Sequence, residues 1–180
     1  MSQRTPRRLD AAALWEYALR VLGGRAHSSG ELREKLRQKA ERVADVDAIL
    51  ARLKDYGYLN DRKFAEGFAA ARLENEGLGK TRVLADLSRR RVAPALARQT
   101  VGHVYEGVDE QALAEDFVRR RFRLASKEGF LQEQKQMASA YRRLVRAGFR
   151  SATALAVLKK FARDPSLLDG FEPPEETPEE

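Results

Sequence analysis

The chain has 180 residues, 34 Lys and Arg against 27 Asp and Glu, a net charge of +7 and no cysteine, so disulfides and thiolate metal sites are excluded. Its 43% apolar content suffices for one compact domain or a short array, yet no apolar run approaches a membrane span and the basic N-terminus lacks the apolar stretch of a signal peptide. A cytoplasmic protein without membrane contact is expected, with residues 1–9 as a basic flexible arm.

The first predicted element opens with a pattern that then recurs. Leu9-Asp10-x-x-x-Leu14, Leu59-Asn60-x-x-x-Phe64 and Val108-Asp109-x-x-x-Leu113 each set a helix N-cap between two apolar residues able to clasp as a hydrophobic staple. The caps lie 50 and then 49 residues apart, a period typical of repeat proteins in which each unit buries its apolar face against its neighbours. Glu16, Glu66 and Glu115 follow the staples at equal distance, and Leu36, Leu87 and Leu144 correspond further on. At 14 and 17 positions beyond those leucines stand Leu50 and Leu53, Val101 and Val104, Leu158 and Phe161. This second block reads as two helices joined by a short turn. The prediction is an all-α chain of three tandem three-helix repeats, at residues 10–58, 59–107 and 108–164, forming an elongated, curved array. Second helices are expected near 28–40, 81–91 and 130–147. No stretch alternates apolar and polar residues as a strand would.

Within the first repeat, Ser28-x-x-Glu31 has the form of a capping box, which puts His27 at the staple position opposite Leu32. Packing, not metal ligation, is the expectation for His27, and a packing or surface role for His103. Asp45 and Asp47, like Asp109 and Glu110, fall in first turns, where carboxylates satisfy free N–H groups and the helix dipole. In the second repeat, Gly77-Leu-Gly79-Lys80-Thr81 ends like a phosphate loop, but the required first glycine would fall at Glu74 and no strand precedes it. The simpler reading is a turn in which Gly79 or Thr81 caps the helix carrying Val83 and Leu87. Pro94 sits where it can open the next helix. No nucleophile, base and orienting group converge, so neither an enzyme nor a cofactor or metal site is expected.

The bases cluster. Residues 165–180 carry six acids and no base, which leaves 34 bases against 21 acids, or +13, for residues 1–164. In the third repeat, Leu113, Phe117 and Val118 define an apolar stripe continued by Phe122 and Ala125, leaving Arg119, Arg120 and Arg123 on the solvent side. Arg72 and Arg121 fall at the stripe edge, where a structural salt bridge is expected. Lys80, Arg82, Arg89, Arg90, Arg119, Arg120, Arg123, Arg142, Arg143 and Arg146 are the candidate partner-binding residues.

Several of these residues carry a family resemblance. Arg25-x-His27-Ser28-x-x-Glu31-Leu32-x-x-Lys35-Leu36-x-x-Lys39, Gly57-Tyr58-Leu59-Asn60-Asp61-x-x-Phe64-Ala65, Arg72 with Gly77-x-Gly79-x-x-Arg82, and Tyr141-Arg142-x-Leu144-x-Arg146-x-Gly148-Phe149 together resemble the RecX family of recombinase regulators over roughly residues 11–162. The resemblance implies tandem three-helix repeats and a bacterial cytoplasmic protein that binds the RecA filament in its groove and restrains strand exchange, ATPase activity and filament growth. A basic surface of this kind is expected to contact single- or double-stranded DNA weakly and without sequence preference, since phosphate contacts position without specifying; the chain is expected to be a monomer. Where the family has Lys-Gly at the end of a second helix, this chain has Lys39-Ala40 and Arg90-Arg91, so a departure in turn geometry is expected there. Two other readings stand beside the regulator: an independent DNA-binding protein of helix-turn-helix type, and a structural adaptor that binds protein alone.

The tail at 165–180, acidic and proline-containing, is too poor in apolar residues to fold and is expected to be disordered and to shield the basic body. Truncation after Asp164 should raise affinity for bare DNA at low salt, an effect that fades as salt rises. Equal affinity of the full and truncated chains in a salt titration removes the shielding idea.

Overall fold

A computed structural model describes residues 8–122 and 134–162. The expectations for the arm up to residue 7, for Arg123 and Ala125, for a helix start at 130, and for the tail lie outside the described residues. Among the described residues there are nine α-helices in three consecutive triplets and no strand, as the capping pattern predicts; one isolated parallel bridge joins Leu9 to Ala40.

The first triplet is α1 (Ala11–Gly24), α2 (Ser29–Lys39) and α3 (Val43–Asp55). The second is α4 (Asp61–Ala71), α5 (Lys80–Arg89) and α6 (Pro94–Val104). The third is α7 (Glu110–Arg121), α8 (Gln134–Arg146) and α9 (Ser151–Phe161). All three predicted caps form: Asp10 accepts from the Ala13 amide at 2.9 Å, Asn60 from Lys63 at 3.0 Å, and Asp109 from Gln111 at 2.9 Å and Ala112 at 3.2 Å. Each carboxylate or amide oxygen thus satisfies a free N–H of the first turn. The Ser28–Glu31 capping box closes in both directions, at 3.0 and 3.3 Å. Pro94 is the first residue of α6, and Gly79 accepts from Val83 as the cap of α5.

Two features were not predicted. After α4 the chain widens into a π-helical turn, Arg72–Glu76, which ends at Gly77 in the left-handed region (φ 64°). The stripe of α7 also stops earlier than its apolar phase implies: Phe122 is already extended (φ −108°, ψ 93°), so the helix closes at Arg121. Of the two acids expected in the first turn of α3, Asp45 lies there and also pairs with the Arg42 side chain at 2.8 Å, whereas Asp47 lies beyond it and pairs with Arg33.

Contacts divide the chain into two compact units, Met1–Phe68 with Asp86–Thr100, and Ala69–Ala85 with Val101–Glu180. In the first unit the core is Leu14, Ala18, Leu32, Leu36, Val46, Ile49, Leu50, Leu53 and Leu59, with α1, α2 and α3 packed on one another. In the second unit α7 and α8 both pack on α9, and Phe117 meets Phe149 edge to face at 5.6 Å. Leu36, Leu87 and Leu144 are each fully buried, as their repeat position predicts.

Each unit contains one unusually close backbone approach. In the first, a Cβ added to Gly30 in the opening turn of α2 would lie 2.3 Å from the Arg91 carbonyl oxygen just beyond α5. In the second, a Cβ on Gly79 would lie 2.2 Å from the Gly148 carbonyl oxygen just beyond α8, while the Gly79 amide donates to the Ala147 carbonyl at 2.8 Å. The start of one second helix therefore rests on the end of the second helix that follows in sequence.

The turn geometry flagged at Ala40 and Arg91 resolves in two ways. Ala40 is extended (φ −65°, ψ 138°) and needs no glycine. Arg91 is the one non-glycine residue at positive φ (56°) among the described residues, in the place where α8 is followed by Gly148 (φ 91°).

Gly79→Ala and Gly148→Ala should each destabilise by about 1–3 kcal/mol or more, because the added carbon meets backbone atoms that have no rotamer to move. Arg91→Gly trades about 1–2 kcal/mol of left-handed strain against about 0.5–1 kcal/mol of added chain entropy, and should be neutral to mildly stabilising. Urea unfolding of the three variants checks this; a Gly79→Ala chain as stable as the parent sinks the close-approach account.

Candidate functional site

The candidate cations separate by what their side chains already do. In the first unit, Arg90 is committed: its guanidinium donates to Glu31 at 2.7 Å and lies 5.6 Å from the Phe68 ring centre, with only 32% of its side chain exposed. Glu31 also takes Arg25 at 3.2 Å, so one carboxylate serves the α2 cap and two arginines. Ser28 Oγ donates to the Arg90 carbonyl, and the Ser29 amide donates to Asp61 at 2.6 Å. Arg89 is 56% exposed and pairs with buried Asp86 at 2.8 Å.

In the second unit, Lys80 is exposed and stands 5.9 Å above Tyr105, whose hydroxyl donates to the Leu78 carbonyl at 2.6 Å. Arg82 is half-buried where α5 begins, its backbone within the close approach to Gly148. Arg119 is exposed but flanked by Glu115 and Asp116, each at 3.9 Å, with the Phe161 ring 5.9 Å away. Arg143 lies over Phe122 at 5.2 Å. Arg120, Arg142 and Arg146 are exposed and make no ion pair among the described residues. Arg142 and Arg146 stand four apart on α8, and Lys135 and Ser139, also exposed, continue the same helical stripe. Of the two stripe-edge residues, Arg72 pairs with Glu76, whereas Arg121 rests over the Phe117 ring at 5.8 Å.

The carboxylates that hold these elements are tuned by their partners. Burial alone would push Glu31 upward, but the Arg25 and Arg90 guanidiniums and the Ser28 amide outweigh it and hold the carboxyl below its ordinary range. Glu110 follows the same pattern, its burial outweighed by the Arg150 side chain at 2.6 Å and the Arg150 amide at 3.0 Å. The Lys160 ammonium is the main cause of the lowered Glu115 carboxyl. His27 packs as its staple position predicts, buried with Nδ1 2.9 Å from the Arg25 carbonyl, and desolvation lowers its pKa. His103 is exposed beside Glu106 at 3.5 Å. Among the described residues no three His, Cys, Asp or Glu gather as a metal site, and no helix is long and apolar enough to cross a membrane.

Helix triplets in tandem, capped at matching positions and carrying exposed surface arginines, define a class of all-helical repeat protein. Comparison with known proteins narrows the class. The model of the RecX first three-helix domain matches residues 15–53, and that of the RecX second three-helix domain matches residues 60–101. The regulatory protein RecX of Amycolatopsis mediterranei is 31% identical over 158 residues, covering 86% of this chain and 88% of its own. That of Deinococcus radiodurans is 33% identical over 152 residues, covering 83% of this chain and 69% of its own. The crystal structure of RecX from Lactobacillus salivarius shares the fold, with a TM-score of 0.66 at 15% identity over 84% of this chain and 96% of that one. The chain belongs to the RecX family of regulatory proteins.

Because Glu31, Glu110 and Glu115 titrate lower when folded than the ordinary glutamate value of 4.5, their contribution is present above that pH and is lost as pH falls through the lowered values. His27, lowered from 6.5, adds a loss that begins on acidification below that value. Thermal melts from pH 7.5 to 3 should therefore decline gently below about 6.5 and steeply below about 4.5. Glu31→Gln should melt lower at pH 7 and follow a shallower acid limb; an unchanged limb removes Glu31 as a contributor.

Proposed function

We propose that this chain is a non-enzymatic cytoplasmic regulator that binds the RecA–DNA filament in its groove and restrains recombinase activity during recombination and DNA repair, including the SOS response. Family membership supports the regulatory role. The observation that carries the contact surface is the pair Arg142 and Arg146, two like charges one turn apart on α8, exposed and without a carboxylate partner among the described residues. Like charges at that spacing cost a helix about 0.2–0.5 kcal/mol, so folding gives no reason for them, whereas a polyanionic partner does.

Arg120 on α7 adds, in the same unit, a third cation that makes no ion pair among the described residues. Arg90, tied to Glu31, acts as architecture. Arg89 and Arg119 reach a partner only by exchanging acids they already hold, which weakens their net gain. Such a surface contacts phosphates and acidic protein groups without reading base sequence.

Arg142→Glu with Arg146→Glu should leave folding intact and lower affinity for RecA-coated DNA by about tenfold or more at moderate salt, with inhibition of strand exchange and of filament ATPase falling in parallel. Arg37→Glu with Arg98→Glu makes the same change in net charge at two other exposed positions and should cost far less. Equal losses in the two variants would reduce the site to bulk charge, and a preference for one duplex sequence over coated DNA would favour the helix-turn-helix reading.

A further inference from the structure

The two most exposed tyrosines of the described chain are neighbours, and they stand beside its single tryptophan. Tyr56 and Tyr58, at 59% and 60% exposure, follow α3; Trp15 lies on α1. The rings form a chain of edge-to-face contacts, Trp15 to Tyr56 at 6.0 Å and Tyr56 to Tyr58 at 6.2 Å. The Arg52 guanidinium lies 4.1 Å from the Trp15 ring centre and 5.4 Å from that of Tyr56. Arg52 is exposed and makes no ion pair among the described residues. Trp15 and Arg52 also line a groove of about 550 Å³ between α1 and α3, with Ala12, Ala48 and Ile49 on its apolar side.

The core of the first unit closes through Leu14, Ile49 and Leu53 with Trp15 packed against it, whereas Tyr56 and Tyr58 are left more than half exposed. Exposed tyrosine rings beside a guanidinium that makes no ion pair among the described residues offer the two kinds of contact that unstacked bases joined by phosphates take. A protein helix would instead need a continuous apolar face, and here the outermost groups are phenols and a cation. Asp45, one of the acids at the groove, is already neutralised by Arg42.

We propose that Trp15, Arg52, Tyr56 and Tyr58 form a binding platform for single-stranded nucleic acid, in which bases stack on Tyr56 and Tyr58 and Arg52 pairs with a phosphate. The platform gives the nucleic-acid side of the proposed function a residue-level site on the first repeat, separate from the α8 arginines. Its primary test uses bare oligonucleotide, so that its failure and the failure of filament binding by the α8 arginines are distinguishable, and the coated filament enters only as a comparison.

Because Trp15 is the only tryptophan, its emission reports the platform directly in the intact chain. Titration with oligothymidine at low salt should change Trp15 emission saturably, at the same midpoint as the anisotropy of a labelled oligonucleotide. Tyr56→Ser with Tyr58→Ser removes the rings on which bases stack, and should weaken single-strand binding by about tenfold or more while leaving duplex binding nearly unchanged. Arg52→Gln, which leaves every ring in place, should weaken single-strand binding and flatten its salt dependence. Oligonucleotide binding with silent Trp15 emission overturns the proposal. So does an equal loss for duplex and single strand, or a tyrosine variant that binds bare oligothymidine normally and loses only the coated filament, which assigns the platform to a protein partner.

Discussion

At Gly30 and again at Gly79 two backbones meet at a separation that leaves no room for a side-chain carbon. At Gly79 such contact lets a carbonyl at one helix end take an N–H at the start of another, so opposite ends of two helix dipoles meet backbone to backbone, whereas at Gly30 the Ser28 hydroxyl takes the facing Arg90 carbonyl. The rest of each unit is arranged around that contact. In the first, Ser28 both caps α2 and donates to the Arg90 carbonyl, and Glu31 draws in Arg25 and Arg90. In the second, the Gly79 amide finds Ala147, and Tyr105 secures the adjacent Leu78 carbonyl. A residue type chosen for having nothing beyond Cα thereby decides which polar groups are left to pair.

This explains how the basic residues divide. A guanidinium near a helix-end contact is recruited to satisfy buried or half-buried carboxylates, as Arg90 is by Glu31 and Arg150 by Glu110. Arg142 and Arg146, exposed on α8, make no such pair among the described residues. Net charge alone therefore overstates the surface open to an anion.

Much of the fold was legible because it rests on local rules. Asp10, Asn60 and Asp109 cap through their own next turn, and Leu36, Leu87 and Leu144 repeat with a period that only burial explains. The Ser28–Glu31 box and the start at Pro94 are local as well. Illegible features depend on distant partners. Nothing in the neighbourhood of Arg90 announces Glu31, 59 positions away, and nothing near Glu110 announces Arg150. The early end of α7 is of this kind too, since apolar phase continues through Phe122 while the backbone does not. The aromatic platform was missed because Trp15 and Tyr56 lie far apart in the chain and fall on no common periodicity; the one signal was that Tyr58 sits within the Gly57-Tyr58-Leu59-Asn60-Asp61 segment that carries the family resemblance.

The wide turn at Arg72–Glu76 gives the repeats a way to differ in length. From cap to shared leucine, Asp10 to Leu36 spans 26 positions and Asn60 to Leu87 spans 27. A turn closed by i→i+5 bonds holds one residue more than the α turn it replaces. The supernumerary residue is swallowed there, so Ala65 and Ala69 before it and Val83 and Leu87 after it all still face inward. A single-codon insertion that would rotate every following side chain by about a quarter turn in an unbroken helix is confined to one loop of backbone. Copies of an ancestral triplet can thus drift in length while keeping one shared core register.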